Sequence, residues 1–114
     1  MALSKRALFN PQQSLAFGSI GAGYTAIGVA IVHPIRILIV SNITDTDLQF
    51  STDGTTDHFV LAAFSAMVLD VASNKTATTD ELYFAQNTRI YVKQLGGAPT
   101  EGAAYVSAVY GRDD

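Results

Sequence analysis

Residues 35–57, IRILIVSNITDTDLQFSTDGTTD, limit the fold more than any other part of this 114-residue chain. Ile35, Ile37 and Ile39 alternate with Leu38 and Val40, so both faces of this stretch are apolar except at Arg36. A strand of that kind is expected to be covered on both sides. Residues 42–46 predict a turn. Leu48 and Phe50 then alternate with Asp47, Gln49 and Ser51, the period-two pattern of a half-buried strand. Ser51-Thr52-Asp53-Gly54 predicts a hairpin turn, because glycine after aspartate supplies a positive φ. His58 to Leu61 reads as the return strand, with Phe59 and Leu61 inward.

The rest of the chain follows the same grammar. Residues 1–12 read as an N-terminal arm, with Lys5, Arg6, Leu8 and Phe9 ahead of Pro11; a short helix over Leu3 to Phe9 would fit it too. Strands are predicted over residues 14–20, 24–32 (with Gly28 as a bulge), 66–71, 89–94 and 102–111. Pro34 marks a boundary, since it cannot donate to a central ladder. Residues 72–81 are polar and read as a loop, followed by a short strand or turn at residues 82–84. In the strand at 89–94, Ile90 and Val92 face inward and Arg89, Tyr91 and Lys93 outward. Eight or nine short strands between Gly, Asp and Thr turns predict an all-β protein: an antiparallel two-sheet sandwich, jelly-roll-like, with an extended N-terminal arm and a single domain over residues 13–114.

Composition points to a covered surface. Charged residues are 15% and hydrophobic residues 48%, against a usual charged fraction of about 25%. The net charge is −3, with Lys5, Arg6 and Arg36 the only charged residues before Asp45 and all ten acids from Asp45 onward. The acidic balance argues against nucleic acid as a partner. There is no cysteine, which rules out disulfides and thiolate metal sites. Residues 15–32 are interrupted by Ser19, Thr25 and four glycines, so they predict strands rather than a membrane span. The polar residues 10–14 separate Lys5 and Arg6 from that stretch, unlike a secretion leader. The expectation is a soluble, non-secreted protein with no membrane contact.

No catalytic or metal-binding constellation is legible. Asp57-His58 lies near Asp53, but without a third ligand it reads as a turn whose aspartates bond their own backbone. His33, next to Pro34, reads as a boundary residue. Asp45, Asp47 and Asp53 lack the spacing of a calcium loop. Gly21-Ala22-Gly23 and Gly96-Gly97 lack the partners of a phosphate loop. Exposed tyrosines such as Tyr91 and Tyr110 read as cross-strand or interface residues. The expectation is a protein that is not an enzyme and takes no cofactor.

Two stretches carry a family resemblance: residues 35–59, and Thr88 to Lys93 with Pro99-Thr100-Glu101-Gly102 and the strand from Tyr105 to Tyr110. They resemble small jelly-roll cement (decoration) proteins of short-tailed bacteriophages. The resemblance implies a structural virion protein on the capsid exterior, made in the host bacterial cytoplasm, that clamps neighbouring major-capsid subunits. It implies the major capsid protein as partner and a homodimer on the shell. The arm is the preferred reaching element, with Leu8 and Phe9 as apolar anchors and Lys5 and Arg6 as charge partners; Tyr91 and Tyr110 complete the candidate contacts. The alternative is a tail or neck component, or a glycan-binding jelly roll with a cleft lined by Tyr24, Tyr83, Tyr91 or Tyr110.

Overall fold

In the computed structural model the structure describes residues 5–33, 35–70 and 87–113. Among them run eight strands: β1 (Lys5–Ala16), β2 (Thr25–Ile31), β3 (Ile37–Thr44), β4 (Leu48–Ser51), β5 (Phe59–Leu61), β6 (Ser65–Asp70), β7 (Thr88–Gln94) and β8 (Gly102–Asp113). They form two antiparallel four-stranded sheets, ordered β1-β8-β3-β6 (sheet A) and β2-β7-β4-β5 (sheet B). Apart from the β4–β5 hairpin, successive strands alternate between the sheets, in the double Greek-key order of a jelly roll. The all-β sandwich expected from the turn spacing is therefore the fold.

Alternation places the core. Leu38 and Val40 of β3, Val106 and Ala108 of β8, Ile27 of β2, Ile90 and Val92 of β7, and Leu48 and Phe50 of β4 are all buried between the sheets. Phe50 and Phe59 stack across β4 and β5 with ring centroids 5.2 Å apart. Both sheets thus contribute one face of period-two apolar residues to a single core.

Four local expectations need correction. The segment 1–12 is not a free arm or helix where it is described: residues 5–12 form most of β1, hydrogen-bonded to β8 from Lys5↔Asp113 through Ala16↔Ala103. Pro11 does not prevent this, because β1 is an edge strand and its register shifts between Asn10 and Gln13; an edge bulge tolerates a missing N–H. The strand expected at residues 14–20 accordingly ends at Ala16 and gives way to a 3-10 turn over Phe17–Ser19. Residues 42–44, expected in a turn, extend β3 to Thr44, because the buried Asn42 and Thr44 side chains bond inward. Residues 52–58 form a loop rather than a tight hairpin turn, and it covers part of β4: all four β4 residues are buried where alternation predicts half. Gly28, at φ +67, marks the expected irregularity in β2. Pro34 and the expected loop and short strand over residues 72–84 lie outside the described residues.

Candidate functional site

The two outer faces of the sandwich differ in kind. Register fixes which residues share each face, since directly opposed residues of antiparallel strands point the same way. On sheet B, Ala26 opposes Tyr91 and Gln49 opposes Lys93. The 52–58 loop folds back over this face. A Cβ added at Gly54 would lie 3.3 Å from the Tyr91 ring, so the loop packs directly on that tyrosine. The loop is braced from within: Asp53 Oδ1 accepts the Thr55 and Thr56 amides at 2.8 Å each, and His58 Nδ1 accepts the Thr52 amide at 3.0 Å. It is also latched to the sheet. Tyr24 donates to Asp57 at 2.5 Å, and Lys93 Nζ lies 3.3 Å from the same carboxylate and 4.7 Å from the Tyr24 ring centroid.

These contacts titrate. The Thr100 hydroxyl and amide hold the Asp45 carboxyl below its usual value of 3.8. The Thr56 and Thr55 amides and the Ser51 hydroxyl hold Asp53 well below it, and Tyr24 with Lys93 lowers Asp57. Burial, then the bond to Asp57, pushes the Tyr24 hydroxyl up. Carboxyls with folded pKa values below the unfolded value stabilise the fold fully above about pH 4, and lose that contribution as pH falls towards the folded values. Melting temperature measured from pH 6 to pH 2 should therefore fall progressively below about pH 4. Asp53→Asn should flatten that fall; an unchanged profile would mean that this loop carries none of it.

From the Phe9 row to the Ala16 row the outer face of sheet A is almost uncharged; beyond Phe9 the same parity runs on to the Lys5↔Asp113 pair. Its register rows run Phe9–Val109–Ile37–Asp70, then Ser107–Ile39–Val68, then Ser14–Tyr105–Ser41–Ala66, and last Ala16–Ala103–Ile43. Asp70, at one corner, is the single charged residue in these rows. Gln12, in the β1 bulge, reaches the same side and bonds the Ser107 hydroxyl at 3.3 Å. Among the described residues no element packs over the rows. Phe9 is 72% exposed and Val68 63%. The strand that reads as covered on both sides, β3, is thus covered on one: Leu38 and Val40 are buried, while Ile37 and Ile39 are half-buried and Ile43 is exposed. Solvent-facing antiparallel sheets alternate apolar with polar; β8 does so, with Tyr105 and Ser107 outward and Val106 and Ala108 inward, whereas β3 turns Ile37, Ile39 and Ile43 outward.

The candidate contact residues divide accordingly. Phe9 lies on the bare face beside Val109. Leu8 and Tyr110 pair with each other on the opposite, core-side parity, and Tyr110 stacks on His33 with centroids 3.7 Å apart. Lys5 and Arg6 pair with Asp113 and Arg112 in the β1–β8 ladder. Tyr91 sits under the protein's own loop. Of the tyrosines expected to share a cleft, Tyr24 directly precedes β2 and Tyr91 lies in β7 of sheet B, Tyr110 belongs to sheet A, and Tyr83 lies outside the described residues. Ile37, Ile39, Ser107 and Val68 were not among the expected contacts, although the two-sided apolar pattern of residues 35–40 was their signal.

One groove opens where the edges β1 and β2 face each other. It encloses about 390 Å³ and is lined by residues 10–14 and by Gly28, Val29, Ala30 and Val32. Gln13 fills its floor against Gly28, where a Cβ would overlap the Gln13 side chain. Among the described residues no three His, Asp or Glu side chains are grouped to hold a metal ion, and no helix is long and apolar enough to cross a membrane. No protein-family model, curated protein or solved structure matches this chain.

Proposed function

We propose that this chain is a capsid cement subunit, a structural virion protein that binds neighbouring major-capsid subunits from outside the shell. The observation that supports it best is the nearly uncharged outer face of sheet A between the Phe9 and Ala16 rows. Apolar patches of this kind on small proteins mark surfaces that meet a partner. The resemblance of residues 35–59, 88–93, 99–102 and 105–110 to phage decoration proteins supplies the kind of partner.

The size of the face suits a lattice. Four strands about 4.8 Å apart and eight residues long at about 3.3 Å each give a footprint on the order of 500 Å². A stable pairwise interface covers about 800 Å² per partner. One such contact is weak alone, and symmetry on a shell repeats it many times, which is how modest contacts accumulate avidity.

The test uses shells of the cognate virion assembled without this chain. Purified chain should load onto them to a copy number comparable with the major shell protein and raise their thermal resistance. Val68→Lys sets a charge on the exposed part of the face and should leave the melting temperature of the isolated chain within about 2 °C. It should lower loading at least tenfold, because an unpaired charge buried at an interface costs several kcal/mol. Shells that gain no resistance from the loaded chain would defeat the proposal, as would a copy number of a dozen or fewer.

A further inference from the structure

Asp53 is the only aspartate or asparagine of this chain that is followed by glycine. That pair has a chemistry of its own. Glycine carries no side chain to hinder its nitrogen, so the Gly54 amide can attack Cγ of the Asp53 carboxyl. A C–N bond forms, the carboxyl hydroxyl leaves with the amide proton as water, and a five-membered succinimide results. Water then adds to one of the two ring carbonyls and breaks that carbonyl's bond to nitrogen. One opening restores aspartate. The other gives isoaspartate, in which the main chain runs through the side-chain methylene. The net change is an isomerisation, with water as the only co-reactant.

The folded loop keeps both reacting groups from this step. The Gly54 amide donates to Ser51 Oγ at 3.0 Å, beside the Asp53 amide at 3.1 Å. The Ser51 hydroxyl donates in turn to Asp53 Oδ1 at 2.8 Å, and the Thr55 and Thr56 amides reach the same oxygen at 2.8 Å each. Three donors on one carboxylate oxygen favour the ionised form, whereas the attack needs the neutral acid. Ring closure has to swing Cγ out of that cradle and free the amide from the hydroxyl. Ser51 is fully buried at the end of β4, opposite Tyr91, so it does not follow.

We propose that Asp53–Gly54 is a backbone modification site, silent while Ser51 clamps its carboxylate and its amide, and that isomerisation there releases the 52–58 loop from sheet B. The added main-chain atom falls between Ser51, held in β4, and Asp57, bonded to Tyr24. With both ends fixed, the longer chain no longer seats Gly54 against the Tyr91 ring. This inference does not depend on the cement reading.

The experiment ages wild-type, Ser51→Ala and Tyr24→Phe chains near neutral pH, folded and in urea, and follows isoaspartate at residue 53 by peptide mass spectrometry and isoaspartyl methylation. The wild type should isomerise at least about tenfold more slowly folded than unfolded, and folded Ser51→Ala should lose most of that protection, because a hydrogen bond to a charged group is removed. Tyr24→Phe loosens the latch to Asp57 but leaves the cradle intact, so it should keep the wild-type rate. The separated isoaspartate form should exchange its Thr55 and Thr56 amides faster than the unaged chain. Equal wild-type rates in the folded and unfolded states overturn the silencing. Ser51→Ala as slow as the wild type, or Tyr24→Phe as fast as Ser51→Ala, overturns the clamp. Unchanged exchange in the isoaspartate form overturns the release. If Ser51→Ala does not fold, the wild-type Gly54 amide decides: exchange as fast as in an unstructured peptide overturns the clamp.

Discussion

Gly102→Ala should leave little or no folded protein. Gly102 begins β8 and pairs with Thr44 at the end of the β3–β8 ladder, between the two central strands of sheet A. Its φ is +90, and an added Cβ would lie 1.7 Å from the Ile43 carbonyl oxygen and 2.8 Å from its carbon. Those atoms are backbone, so no rotamer change relieves the overlap. The alanine variant must separate β3 from β8 where both are needed for the core. A loss of about 4 kcal/mol or more is expected, from steric overlap plus the strained φ. A domain holds only about 5–15 kcal/mol in total. The check is soluble yield and the urea midpoint, with Gly96→Ala as control. Gly96 has a φ of +89 with nothing within 4 Å of an added Cβ. Its alanine variant should therefore lose only the conformational cost, about 1–2 kcal/mol. Equal losses in the two variants would show that the approach of Ile43 is not what demands glycine at 102.

Asn42 substitutions should come second in severity. The Asn42 side chain is fully buried in β3. Its amide shares two hydrogens among the carbonyls of Thr46, Leu61 and Ala62, at 2.8, 3.0 and 3.1 Å. Its oxygen accepts the Thr44 amide at 3.0 Å and the Thr44 hydroxyl at 2.6 Å. One side chain therefore ties a strand of sheet A to the end of β5 in sheet B and to the connection between β3 and β4. Asn42→Leu preserves volume and strands those groups; each unsatisfied buried group costs about 1–3 kcal/mol, so a loss of about 3–5 kcal/mol is expected. Asn42→Asp aims a carboxylate at three carbonyl oxygens. Its folded pKa must rise above the unfolded value of about 3.9. A raised carboxyl pKa means that the folded state binds the proton more tightly. The deficit relative to wild type should then grow as pH climbs above about 4 and shrink below it. Denaturation of the two proteins at pH 3.5 and pH 7 measures this directly; a deficit independent of pH would mean that water reaches the site. Because Asn42 also holds the 61–62 carbonyls, either substitution should loosen the connection between β5 and β6.

The fold was legible where one face of a strand is apolar. Ile90 and Val92, or Met67 and Leu69, announce their strands by alternation, and the two-sheet sandwich follows from their number and their turns. Misreadings fell where a long-range partner overrides local signals. Pro11 and the polar residues around it look unlike a strand, yet they join one because β8 lies alongside as a template and the bulge absorbs the proline. Asn42 to Thr44 look like a turn, because Asn and Thr bond backbone locally. Those local bonds form here too, to Thr44 and Thr46, but Asn42 also bonds the Leu61 and Ala62 carbonyls across the sandwich, and the strand runs on to Thr44. The candidate site was half legible. Two-sided apolarity in residues 35–40 predicted a strand covered on both sides, whereas β3 is covered on one; Phe9 was expected as an anchor. Val68 was read as one member of a strand; residues 62–65 read as a turn, which is where Phe64 lies, but its positive φ leaves no trace in residue order.

Alternation and turn chemistry were enough to establish a β sandwich, because these are short-range properties, and the residue order alone shows a leading portion without acids. Which of its apolar faces meets the core, and which is left for a partner, depended on assembly of the two sheets. The 52–58 loop covers one outer face and latches to Tyr24 and Lys93, while β1 and β6 flank the other without covering it. Those outcomes are set by contacts between residues tens of positions apart, such as Asp57 with Tyr24 or Phe9 with Val109, and no local pattern encodes them.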